Sequence, residues 1–130
     1  MIAAVEVSRI GYNEITGRYA VDTDQRLLRY QALMESLIYT FIEPRGAMRG
    51  SQRPHLVNFE GVIGVSTQRV PAPTVSPLND HYRESLENVR AALDPLHPGA
   101  VSLLAFDDIA GFSAHMTTLV QQTVPFDLSA

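Results

Sequence analysis

The chain contains no cysteine, so a disulfide framework, a zinc-thiolate site and a thiol nucleophile are all excluded, and the redox compartment stays open. It contains no lysine either. All ten basic residues are arginine, which removes a Schiff base, a P-loop lysine and any catalytic lysine. Charge is scarce, at 18% of residues against a usual level of about 25%. Long apolar runs are also missing, since no stretch approaches the roughly 18 to 20 residues that cross a bilayer. The start, Met1-Ile2-Ala3-Ala4-Val5-Glu6, lacks the basic opening and apolar core of a signal peptide. The expectation is a soluble chain that starts inside a cell.

What is present is 130 residues, 45% of them hydrophobic, enough for one folded domain that buries about two thirds of its extended-chain surface. Fourteen acids against ten arginines give a net charge of −4. The distribution is uneven: residues 1–70 hold eight arginines and seven acids, net +1, and residues 71–130 hold two arginines and seven acids, net −5. Arg45, Arg49 and Arg53 fall in a stretch without acids, beside Gly46, Gly50 and Pro54. They are the basic cluster of the sequence.

Periodicity predicts an α+β fold of two amphipathic helices packed on a small, mainly antiparallel sheet with a C-terminal β-hairpin. Residues 1–21 read as an N-terminal arm, with alternation from Ala3 to Ile10 that Gly11 breaks, a short strand or extended arm, and a turn signal at Asn13-Glu14-Ile15-Thr16-Gly17-Arg18. Asp22, Thr23 or Asp24 caps a helix over about 23–42, whose apolar face is Leu27, Tyr30, Met34, Leu37, Ile38 and Phe41, and which Pro44 and Gly46 end. An arginine and glycine loop follows over 43–54, and then Val62, Ile63 and Val65 with Gly61 and Gly64 in short irregular or extended pieces. Ser76-Pro77 reads as the start of a second helix over about 77–94, with the stripe Leu78, Tyr82, Leu86, Val89 and Leu93. The hairpin spans about 100–126: a strand at Val101–Phe106, a turn at Asp107-Asp108, and a period-2 segment through Phe112, Ala114, Met116, Thr118 and Val120.

Chemistry is sparse. The histidines His55, His81, His97 and His115 are far apart, and His81 with Glu84 makes one helical pair where zinc needs three ligands. No serine stands in a nucleophile elbow. Asp107-Asp108 suits a turn better than a pair of acids across a cleft. Gly61 and Gly64 lack the rest of a phosphate-binding pattern. No catalytic residue, metal or cofactor is expected. The arginines of the loop suit phosphates and protein carboxylates alike. The negative net charge weighs against nucleic acid, and a solvated loop or a protein partner remain the other readings. The long, weakly charged last segment invites strand addition from a second chain through His115, Met116, Thr117, Thr118, Leu119, Val120, Gln121, Gln122, Thr123 and Val124.

The order Ile15-Thr16-Gly17-Arg18, then a helix through Ile38-Tyr39-Thr40, then Arg45-Gly46-Ala47-Met48-Arg49-Gly50 resembles the sheath-initiator or baseplate wedge proteins of contractile-tailed phages and related type VI secretion-like machines, sometimes labelled lysozyme-like. Where that family carries Glu-Pro-Arg, this chain carries Asp94-Pro95-Leu96. The resemblance implies a non-enzymatic structural protein of the virion baseplate, assembled in the host cytoplasm in multiple copies of a symmetric machine. Its partners would be the tail sheath protein, the baseplate wedge proteins and the tube, with no membrane and no direct nucleic acid. The strands of the first sheath ring would pair with its terminal strands, and Arg45, Arg49, Arg53 and Asp94 would make polar contacts. Alternatives are a tail terminator or connector, or a small α+β enzyme or ligand-binding domain.

Overall fold

The computed structural model describes residues 1–42 and 59–128. The fold is α+β, as the periodicity predicts, with three α-helices and two two-stranded antiparallel sheets among the described residues. The chain divides into two compact units: Met1–Val5 with Glu60–Phe106, and Glu6–Phe59 with Asp107–Ala130.

The second of these units begins with a 3-10 turn at Val7–Arg9 and a small hairpin of β1 (Tyr12–Asn13) and β2 (Arg18–Tyr19). The predicted turn closes this hairpin. Asn13 Oδ1 accepts from the backbone N–H groups of Ile15 at 2.9 Å and Thr16 at 3.3 Å, an Asx-type arrangement that stands in for a backbone turn. Helix α1 (Thr23–Ile42) follows, and Asp22 is its cap, with Oδ1 accepting from Gln25 N–H at 2.8 Å. Its buried line is Arg26, Tyr30 and Met34 at helical spacing. α1 packs on α3 (Ile109–Gln122), which buries Phe112 and Met116. The rings of Phe41, Phe59 and Phe112 close the apolar end of this unit, with centroids 5.0 to 5.3 Å apart and Phe112 edge-on to both others.

In the other unit β3 (Gly61–Ser66) pairs with β4 (Val101–Phe106) in an unbroken antiparallel register from Gly61 opposite Phe106 to Ser66 opposite Val101. The glycine at the start of β3 has a steric reason: a Cβ there would lie 2.8 Å from Cζ of the Phe106 ring, which crosses the Gly61 backbone. α2 (Tyr82–Leu93) packs on β4 and buries Leu86, and a 3-10 turn, Asp94–Leu96, continues it.

Two expectations are corrected. The second helix begins at Tyr82, not at Pro77: Ser76 Oγ accepts from Leu78 N–H at 3.3 Å and Asn79 Oδ1 from His81 N–H at 2.9 Å, so this stretch spends its donors on successive side-chain turns. Leu78 is left exposed. In place of the C-terminal hairpin, β4 takes β3 as its partner and residues 109–122 are helical. Asp108, read as a hairpin turn, is the N-cap of α3, its Oδ1 accepting from Gly111 N–H at 2.6 Å. Periods of 2 and 3.6 coincide at every fourth residue, so Phe112, Met116 and Val120 satisfy both. The cap decides for helix.

Candidate functional site

The most closely built polar site lies where the front of α1 meets the segment that follows α3. Arg26 belongs to the first turn of α1 and takes the place in the buried line that an apolar residue would take by pattern. Its side chain is only 6% exposed. Burying a guanidinium is costly unless its donors are met. Nε donates to the Ile10 carbonyl at 3.4 Å, and Nη2 donates to the carbonyls of Ser8 at 3.4 Å and Phe126 at 3.2 Å. The guanidinium carbon sits 3.7 Å from the centroid of the Tyr19 ring, within cation–π range. The Asp127 carboxylate stands 4.0 Å from Nη1.

Tyr19 carries the rest of the arrangement. Its ring meets Tyr12 edge-on at 5.1 Å, its hydroxyl donates to the Ser8 carbonyl at 2.8 Å, and that hydroxyl accepts from Leu128 N–H at 2.9 Å. Ser8 itself is almost fully buried and its Oγ meets no partner in the structure. Further along α1, the Tyr30 hydroxyl and Thr123 Oγ1 lie 2.6 Å apart. Residues 123–128 are thus tied to the front of the chain at three points, all across sequence separations of more than ninety residues. Gly11 shapes the loop beside them, with φ +74 and space at its α-carbon already filled by Val21.

A second feature lies within the unit that holds the β3–β4 sheet. Val70, Pro71, Pro73, Leu93, Leu96 and Val101 line a mainly apolar cavity of about 230 Å³, with Arg90, Asp94 and His97 among its polar lining. Arg90 Nε donates to Glu87 Oε2 at 2.9 Å and Nη1 stands 3.7 Å from Asp94. The hydrogen bond from Arg90 holds the Glu87 carboxyl below its ordinary value and, in return, raises Arg90 above its own. The Glu87 carboxylate is exposed, whereas Arg90 is partly buried. Among the described residues no group of three metal-ligating side chains occurs, and no helix is long and apolar enough to cross a membrane.

The residues singled out from the sequence fall in different places. Arg45, Arg49 and Arg53 lie outside the described residues. Asp94 ends α2 and accepts from Gly99 N–H at 3.1 Å. His115, Met116, Thr117, Thr118, Leu119, Val120, Gln121 and Gln122 are in α3, with Met116 buried, while Thr123 caps it and Val124 follows exposed. A strand-pairing role for this segment is corrected on conformation, because the N–H groups within a helix are already bonded to carbonyls four residues back. Arg26 is not among the residues singled out from the sequence; its visible sign is its place four residues before Tyr30 and eight before Met34, on the same face of α1.

A model of the CRISPR-associated negative auto-regulator DevR/Csa2 family matches residues 1–87. No curated protein and no solved structure matches the chain. The family match overturns the resemblance to phage baseplate and sheath-initiator proteins, and with it the structural tail function, the terminator or connector alternative and the small enzyme or ligand-binding alternative. It equally removes tail sheath, wedge and tube as partners, and the virion as the place of action. The shared order of turn, helix and arginine-glycine loop misled because each motif is short and common to many unrelated folds.

Proposed function

Because the chain belongs to the DevR/Csa2 family of CRISPR-associated negative auto-regulators, we propose that it is a non-enzymatic regulatory subunit that contacts nucleic acid and works among CRISPR-associated protein partners. The observation that carries this reading is where the match falls. Residues 1–87 contain nine of the ten arginines. Negative auto-regulation lowers the expression of a protein's own gene, so its last step acts on a nucleic acid, and guanidinium forks are the side chains best shaped for phosphate.

The whole-chain charge sets a limit on how that contact works. With a net charge of −4, a blanket electrostatic footprint is not available, and binding rests on a few arginines of the near-neutral front half. Such a subunit gains affinity from assembly with other proteins, since linked contacts raise the effective concentration of each. The basic cluster Arg45, Arg49 and Arg53 is the part of the sequence that suits this contact best.

The test uses the purified full chain and a short single-stranded RNA. Binding weakens as salt rises, and replacing Arg45, Arg49 and Arg53 together by alanine lowers affinity at every salt concentration and flattens its salt dependence by about 2 in the log–log slope, at roughly 0.7 per phosphate contact. A reporter driven by the protein's own promoter is repressed by the wild-type chain and released by the triple variant. Unchanged affinity together with unchanged repression would sink the reading.

A further inference from the structure

We propose that the cavity at the C-terminal end of α2 receives a basic, amphipathic segment of a partner protein: one apolar side chain of that segment enters the cavity, and an arginine or lysine beside it meets Asp94. This rests on the part of the reading above that gives the chain protein partners, and not on nucleic-acid contact. The cavity, about 230 Å³, lies wholly within the unit that holds the β3–β4 sheet, with Pro71, Pro73, Leu93, Leu96 and Val101 among its apolar walls. An apolar cavity of about 150 Å³ already admits a benzene ring, so this one has room for a leucine or phenylalanine side chain. Its apolar surface does not end at the mouth. Leu93 and Leu96 wall the cavity and are still 50% and 71% exposed. A small molecule inside the cavity leaves them in water, whereas a protein segment laid across the mouth covers them as well.

The charge at the mouth sets the sign of the partner. Arg90 forks onto both carboxylate oxygens of Glu87, so its own charge is already met. Asp94 accepts from Gly99 N–H through Oδ1 at 3.1 Å and stands 3.7 Å from Arg90 Nη1, while its Oδ2 has no partner among the described residues and its side chain is 39% exposed. Glu87, Arg90 and Asp94 together carry a charge of −1. Asp94 is also the C-cap of α2, and the field at a helix C-terminus favours a cation. The two effects have the same sign. An acidic segment is repelled by both, and a purely apolar one takes water from the Asp94 carboxylate and returns nothing.

The probe is an alanine-based helical peptide with leucine at i and i+4 and arginine at i+3 and i+7, compared with versions that carry glutamine or glutamate in place of both arginines. Binding to the isotope-labelled full chain is followed by backbone amide shifts. The arginine peptide shifts the amides of Leu93, Leu96, Ala100 and Val101 ahead of all others and binds about two- to fivefold more tightly than the glutamine peptide, the range of one partly exposed ion pair. The glutamate peptide binds least. Asp94→Asn, which keeps an acceptor for Gly99 N–H, removes the difference between the arginine and glutamine peptides, and Leu96→Ser weakens every peptide by at least about fivefold. Amide spectra of the free variants verify their folds, and the three peptides on the wild-type chain carry the test if a variant does not fold. No binding of the arginine peptide, shifts confined to other surfaces, or equal affinity for the three peptides overturns this inference. Concentration-dependent broadening of the same amides without peptide assigns the face to a second copy of the chain, and tighter binding of 4-phenylbutylamine than of the peptide assigns the cavity to a small ligand; either result overturns it too. Failure here with RNA affinity intact leaves the nucleic-acid reading standing, and loss of both overturns both.

Discussion

The two compact units of the chain are held in different ways. In Glu6–Phe59 with Asp107–Ala130, long-range polar contacts at Arg26, Tyr30 and Tyr19 and an aromatic trio at Phe41, Phe59 and Phe112 bind segments far apart in sequence. In Met1–Val5 with Glu60–Phe106, a two-stranded sheet and one helix bury Leu86 and Phe106 but leave Leu78, Leu93 and Leu96 exposed by 90%, 50% and 71%. A two-stranded sheet is marginal without further cover. The unit that holds Arg26 joins distant segments through buried polar and aromatic contacts, and the unit that holds the β3–β4 sheet leaves several leucines exposed.

The contrast predicts unequal responses to the same kind of truncation. Phe112→Ala removes a ring that packs edge-on against two others, and its expected cost is about 3–5 kcal/mol, read from the urea midpoint. Leu96→Ala, on the exposed surface of the other unit, changes the midpoint by less than about 0.5 kcal/mol. Equal costs would mean that the exposed leucines are packed in solution and that the contrast is false.

A smaller effect is expected from adding volume where the sheet is tightest. Gly61→Ala places a methyl against the Phe106 ring and forces the ring or the β3–β4 register to shift, at about 1–3 kcal/mol by thermal unfolding. A loss at Gly61 below about 0.5 kcal/mol would show that Phe106 has freedom to move away.

The smallest expected effect is electrostatic. Arg90 hydrogen-bonds Glu87 and holds its carboxyl below the ordinary 4.5, so the folded state binds this proton less readily than the unfolded one. The pair therefore supports α2 above the unfolded value and loses that support as pH falls through the lowered folded value. Helicity followed by circular dichroism from about pH 6 to pH 3 shows Glu87→Gln slightly less stable at the upper end and equal to the wild type at the lower. A constant difference across this range would mean that charge is not the cause.

Parts of this were legible in the residues alone. The span of α1 and its Asp22 cap follow from local chemistry, because a capping carboxylate and a 3-and-4 apolar spacing act within a few residues. So does the Asn13 turn that became a hairpin. The α3 segment was not legible, since its apolar positions fit strand and helix equally and only the Asp108 cap separates them. Family membership was not legible either, because the short motifs at residues 15–18 and 45–50 recur by chance.

Composition settled that no cysteine or lysine chemistry is available and that the arginines gather in the front of the chain, facts that hold in any fold. Packing alone settled the fate of individual charges. Arg26, Arg29 and Arg18 look alike in the sequence, yet only Arg26 is buried, against Tyr19 and beneath residues 126 and 127. A side chain's surroundings are made by segments a hundred positions away, and no local pattern records which segments those are.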